Sequence, residues 1–147
     1  MNIYIGADHR GFKLKALILK ELEALHYPVT DLGTDSLEPV DYPAIAKAVS
    51  QKVVSNQESV GILLCSSGQG MAMAANKVAG IRAALVWDSR MVKETRADNN
   101  ANILVLPADY LSFEAVQRII RLFLTTPFSE APRHQRRLTA LAKLDQK

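Results

Sequence analysis

The sequence predicts an α/β fold: a five-stranded parallel sheet, doubly wound, with helices on both faces and one extra helix at the C-terminus. Three observations predict it. Short apolar runs alternate with longer stretches of helical periodicity, five times along the chain. Right-handed crossovers between parallel strands then put helices on both sheet faces. Polar clusters recur just past the strand ends, where such folds hold their ligands.

The elements follow in order. Ile3, Tyr4 and Ile5 form a short strand stopped at Gly6. Phe12, Leu14, Leu17, Ile18, Leu22 and Leu25 then recur about three and four apart, the pattern of an amphipathic helix. Residues 28–33 read as a second strand and its exit, and 34–40 as a polar loop containing Pro39. Pro43 suits the first turn of a helix running to about Asn56. Residues 60–64 are the third strand and 71–78 the third helix, which Gly80 ends. A fourth strand at 81–87, a fourth helix at 89–97, a fifth strand at 102–106 and a fifth helix at 111–124 follow. After Thr125-Thr126-Pro127, residues 130–144 form a last helix with a basic first half. The chain, 1–147, reads as one domain. Its final segment, 128–147, has no strand after it; the last helix either packs on its own sheet or reaches a neighbouring subunit.

Composition narrows the function classes. With 147 residues and 48% hydrophobic content, the chain can bury a real core. The net charge of +3 is too modest to argue for a nucleic-acid binder, although Arg133, Arg136 and Arg137 concentrate late. One cysteine excludes an internal disulfide framework and suits a reducing compartment. No run approaches the ~18 apolar residues of a membrane span. The N-terminus lacks the basic and apolar regions of a secretory signal. A cytoplasmic protein without membrane or nucleic-acid partners is expected.

The densest chemical signal is Ile62-Leu63-Leu64-Cys65-Ser66-Ser67-Gly68-Gln69-Gly70-Met71. An apolar strand ends in the only cysteine, a small-residue turn follows, and an Ala- and Met-rich helix begins. Backbone N–H groups of such a turn can converge on an anion, with Gly68 and Gly70 giving the chain freedom to aim them. The helix N-terminus is expected to lower the thiol pKa and favour the thiolate, which can serve as base or nucleophile. Ser67 is placed to orient the thiol or meet a sugar oxygen. Ser66 offers a backbone N–H. The same residues also suit a buried, inert thiol on an ordinary strand-to-helix turn.

Three further groups admit two readings each. Asp8 and His9, between Gly6 and Gly11, can bind sugar hydroxyls and a phosphate, or supply a helix cap and a surface histidine. Asp41-Tyr42 and Asp88-Ser89 lie beyond the second and fourth strands. Asp98-Asn99-Asn100-Ala101-Asn102 is a polar wall for hydroxyl groups or a helix stop. Arg133, His134 and Arg137 share one helical face, a phosphate clamp or a solvated basic face. No His/Cys/carboxylate cluster has metal-site spacing, and His26 sits at a helix end.

Taken together, these residues resemble the type B ribose-5-phosphate isomerase family, which includes the galactose-6-phosphate isomerase subunits. The anchors are Gly6-Ala7-Asp8-His9-Arg10-Gly11-Phe12-Lys13-Leu14-Lys15, Asp41-Tyr42-Pro43 and Cys65-Ser66-Ser67-Gly68-Gln69-Gly70-Met71 with Ala74-Ala75-Asn76-Lys77. Gly80-Ile81-Arg82-Ala83, Asn99-Asn100-Ala101-Asn102 and Arg133-His134-Gln135-Arg136-Arg137 complete them. The resemblance implies a single Rossmann-like domain. It also implies a homodimer, in some members a tetramer, with active sites between subunits and the last helix at the contact. It implies interconversion of an aldose and a ketose phosphate through an enediolate, without metal or organic cofactor. Cys65 is then the base, Ser67 its assistant, and N–H groups from Ser66 to Gly70 stabilise the enediolate oxygen. Asp8 and Tyr42 bind sugar hydroxyls; His9, Arg133 and Arg137 hold the phosphate; Asn99 reaches across the interface. Two positions depart from the family. Asp98 stands where many members carry a histidine that helps open the sugar ring, so ring opening would fall to a carboxylate. Ser66 stands where glycine is usual. The first expectation is an isomerase of ribose 5-phosphate and ribulose 5-phosphate. The alternatives are an isomerase of allose or galactose 6-phosphate and a non-catalytic sugar-phosphate-binding protein.

Overall fold

The computed structural model describes residues 1–145; Gln146 and Lys147, the end of the expected C-terminal segment, lie outside the described residues. Five strands form one parallel sheet in the order β2-β1-β3-β5-β4. They are β1 (Asn2–Ala7), β2 (Val29–Asp31), β3 (Ser59–Cys65), β4 (Ala83–Leu85) and β5 (Ile103–Pro107). The helices are α1 (Phe12–Ala24), α2 (Tyr42–Ser55), α3 (Gln69–Ala75), α4 (Ser89–Asn99), α5 (Phe113–Thr125) and α6 (Pro132–Ala142). The expected fold class is the observed one.

Every residue of β3 and β5 is buried, as a strand covered by helices on both faces requires. Strand alternation divides their side chains between two cores. Ile62, Leu64, Leu104 and Leu106 pack with Ile18 and Leu22 of α1, Val92 of α4 and Val116, Ile119 and Phe123 of α5. Leu63, Cys65, Ile103 and Val105 pack with Ile45 and Val49 of α2 and Met71 and Ala75 of α3. The thiol therefore points to the α2/α3 side, and its neighbour Ser66 turns toward the other. Buried Lys15 on α1 is neutralised by both oxygens of Asp31 at the end of β2, at 2.6 and 2.5 Å.

Several elements differ in extent from the sequence expectation, and the first strand runs through Gly6 to Ala7. The fourth strand covers three residues instead of seven. Its entrance is diverted because the Arg82 N–H donates to the Asn102 side chain at 2.8 Å; its exit gives way to Asp88, which caps α4. The third helix begins at Gln69, directly after left-handed Gly68, and stops when the Asn76 side chain bonds Ala72 and Ala83. The last helix begins at Pro132 because Glu130 has φ +55, outside the helical region; a 3₁₀ turn, Lys143–Asp145, follows it. This helix packs against α4 of its own chain. Among the described residues no helix is long and apolar enough to cross a membrane.

Candidate active site at the carboxyl edge of the sheet

The chain leaves β1 for β2 on one side and returns to β3 on the other, so the strand order reverses between β1 and β3. The crevice outside their carboxyl ends is the expected ligand position. Cys65 ends β3 there, 6% exposed. The Gly68 N–H donates to its sulfur at 3.1 Å. Burial pushes the thiol above its ordinary value; N–H groups of Met71, Gly68 and Ser67 pull the other way, and the Asp8 charge adds to the rise. The expectation of a lowered thiol pKa is thus corrected. Helix α3 is only seven residues long, and desolvation outweighs its N-terminal donors. Gly68 has φ +76, a conformation that favours glycine, and a Cβ there would meet the Leu85 side chain.

Asp8 is buried, and its Oδ1 accepts the N–H groups of Arg10 and Gly11 at 2.9 and 3.0 Å. Both bonds fall on one oxygen; among the described residues none reaches Oδ2. The Val40 N–H donates to His9 Nδ1 at 3.3 Å. A backbone N–H can only donate, so neutral His9 carries its proton on Nε2, available to a ligand oxygen. Tyr42, at the start of α2, lies over Gly70. A Cβ there would sit 2.6 Å from Tyr42 Cζ and 2.9 Å from both Cε atoms. Gly70 is therefore a seat for the tyrosine ring. Gly70→Ala is expected to displace that ring and lower kcat/KM severalfold. Stability should hold, because alanine adds up to about 1 kcal/mol of helix propensity. Steady-state kinetics and thermal unfolding of the variant check both halves.

Sequence reasoning missed two residues here. The Ser66 hydroxyl donates to Asp109 Oδ2 at 2.5 Å, and Arg10 Nη2 donates to the same oxygen at 2.7 Å. Ser66 first, then Arg10, hold the Asp109 carboxyl below the usual carboxylate range. The signal was present: Asp109 lies two residues past β5, in the class of strand-end positions that drew attention to Asp8 and Cys65. Ser67 also faces the edge. It lines an open cavity of about 430 Å³ with Leu85, Pro107 and the exposed rings of Trp87 and Tyr110.

Asp98, Asn99, Arg133 and Arg137 lie elsewhere. Helix α4 runs back from the carboxyl edge, so its last turn, with exposed Asp98 and Asn99, reaches the amino edge of the sheet. At ~3.3 Å per residue, the strands place the two edges about 16 Å apart. Helix α6 starts beside that turn: His134 Nδ1 is 3.6 Å from Asp98 Oδ1. Arg133 and Arg137 are exposed, but His134 is 3% exposed, turned inward between Ser129 and the Arg133 Nε–H. The expected three-residue face is thus two arginines. One chain gathers Cys65, Ser66, Ser67, Gly68, Gly70, Asp8, His9 and Tyr42 at one edge and presents the remaining predicted residues at the other. Among the described residues no three His, Cys, Asp or Glu side chains form a metal-ligand cluster.

A buried thiol at a parallel-sheet switch point, ringed by backbone donors, a tyrosine and a histidine with a free N–H, defines an α/β protein equipped for polar small molecules. The chain belongs to the ribose/galactose isomerase family, whose model matches residues 3–141. It is 39% identical over 146 residues to ribose-5-phosphate isomerase B of Mycolicibacterium paratuberculosis, covering 99% of this chain and 92% of the relative. A ribose 5-phosphate isomerase from Thermotoga maritima is 44% identical, with a TM-score of 0.93 and 97% of each chain covered. Ribose-5-phosphate isomerase B from Mycoplasma genitalium, solved with bound ribulose-5-phosphate, is 36% identical. Its TM-score is 0.94, covering 99% of this chain and 97% of that one.

Proposed function

We propose that this chain interconverts ribose 5-phosphate and ribulose 5-phosphate, with Cys65 as the base. The observation that carries the reading is the thiol at the switch point with the Gly68 N–H already on its sulfur, in a chain so similar to isomerases of that name. The thiolate takes the C2 proton of the open-chain aldose. Negative charge develops on O1, where N–H groups of the 66–70 turn are placed to receive it. Cys65, its proton exchanged with solvent, returns a proton to C1, and a proton passes from O2 to O1, giving the ketose. Ser67 stands beside the reacting oxygens. Asp8 and Tyr42 hold sugar hydroxyls, and His9 meets the phosphate. Asp98 accepts the ring hydroxyl proton in place of a histidine.

The division between the two edges supports a homodimer. Asp98, Asn99, Arg133 and Arg137 of one copy complete the crevice of another, and a two-fold axis makes two such sites. The sole cysteine is free, which suits the reducing cytoplasm. Proton NMR with ribose 5-phosphate in D2O tests the activity. Ketose signals with solvent deuterium at the exchanging carbon are expected. Turnover of allose or galactose 6-phosphate with ribose 5-phosphate inert would change the substrate and keep the chemistry. Inertness toward all three would turn the reading to a sugar-phosphate-binding protein.

A further inference from the structure

Substrate phosphate needs cations in the crevice that holds the thiol, and the two arginines of α6 lie at the far edge of their own chain. The chain that supplies Cys65 carries a different arginine beside its own crevice. Arg10 follows His9 on the β1 exit loop, and both its ends are fixed. Its N–H donates to Asp8 Oδ1 at 2.9 Å, and its Nη2 donates to Asp109 Oδ2 at 2.7 Å. Asp109 is in turn tied to the thiol strand. Its N–H donates to the Ser66 carbonyl at 3.0 Å, the neighbouring Ala108 N–H donates to the Cys65 carbonyl at 2.8 Å, and the Ser66 hydroxyl holds the carboxylate. The guanidinium thus bridges from the β1 exit, across β3, to the β5 exit, and its position is referenced to the peptide of the reacting cysteine.

Only one edge of the fork is used. Among the described residues Arg10 Nε and Nη1 have no hydrogen-bond partner, and the side chain is 58% exposed. Nearby Lys15 cannot serve, because its ammonium is buried and spent on Asp31 and the Thr34 carbonyl. A free arginine loses much rotamer freedom when it binds an anion; one already held by a carboxylate loses less. The Asp109 charge lowers the net attraction but aims the remaining N–H groups, a geometry suited to phosphate oxygens.

We propose that Arg10 is a phosphate ligand of the substrate, alongside His9, within the same chain as Cys65, and that Asp109 is the positioning residue that aims it. Ser66 then has a role of its own: its hydroxyl holds the Asp109 carboxylate in place. The proposal rests on the sugar-phosphate reading above.

Steady-state kinetics and calorimetric titration with ribose 5-phosphate test it on wild type, Arg10→Ala, Arg10→Lys and Asp109→Asn. Arg10→Ala is expected to raise KM about ten- to a hundredfold, the worth of a charged hydrogen-bonded contact, with kcat within about threefold. Arg10→Lys should recover part of the loss. Asp109→Asn keeps the shape and releases the guanidinium, so KM should rise by a smaller factor while kcat stays. A general disturbance of the loop would instead lower kcat and leave lysine no better than alanine, overturning the assignment. So would an Arg10→Ala affinity equal to wild type by calorimetry, including the case in which neither binds. A wild type that binds ribose 5-phosphate through Arg10 without converting it would overturn the isomerase reading and leave Arg10 assigned.

Discussion

Cys65→Ala is expected to lose isomerisation by about a hundred- to ten-thousandfold in kcat, the span of a general base, while binding ribose 5-phosphate nearly as well as wild type. A general base acts only when charge moves, so loss of the thiol in that role would fall on the transition state and spare the ground state. Single-turnover NMR in D2O with calorimetric binding separates the two. Near-normal turnover by the variant would remove Cys65 as the base. The pH profile should carry the same residue. Burial holds the free thiol above its ordinary value, so the protein is protonated at Cys65 at neutral pH. The thiolate fraction rises about tenfold per pH unit below that pKa, and kcat/KM should climb with pH through the neutral range until the thiol is titrated. In Cys65→Ala that ascending limb should vanish.

The second large effect is recovery of activity from two impaired proteins. Arg137→Ala is expected to raise KM for ribose 5-phosphate well above wild type, and Cys65→Ala to be inactive. If Arg137 serves the neighbouring copy, a dimer of one chain of each kind has one site with both defects and one intact. Random reassembly of an equal mixture should then restore about a quarter of wild-type sites, from the arithmetic of a two-fold dimer. Unmixed controls should stay low. No recovery, with heterodimers demonstrated by mass, would place Arg137 outside a shared site. The expectation follows from geometry: no rearrangement of side chains brings the end of α4 or the start of α6 to the opposite edge of the same sheet.

Much of the fold was legible because its signals are local. The apolar runs of β3 and β5, the three-four spacing of α1 and the proline at the start of α2 each act within about ten residues. Legibility failed where partners are distant in sequence. The fourth strand is shorter than its apolar run predicts because Asn102 intercepts Arg82 from twenty positions away. The third helix ends before its sequence pattern predicts because Asn76 folds onto Ala83. The thiol pKa shifts opposite to the sequence expectation because a sequence shows a helix start but not how much of the sulfur is desolvated.

The site divides along the same line. A lone cysteine ending a buried strand before a glycine turn, Asp8 and His9 leaving the first strand, and the likeness of these pieces to an isomerase family are all written in short stretches of sequence. Adjacent residues and strand-end positions carry that information. That Gly70 seats Tyr42, that Ser66 and Arg10 meet on Asp109, and that Asp98, Asn99, Arg133 and Arg137 lie far from the thiol of their own chain emerges with the folded chain alone. The reason is physical. Parallel strands and their helices run in opposite directions, so strand ends and helix ends lie on opposite edges of the sheet. Which side chains meet across an edge depends on strand order, and no stretch of neighbouring residues encodes that order.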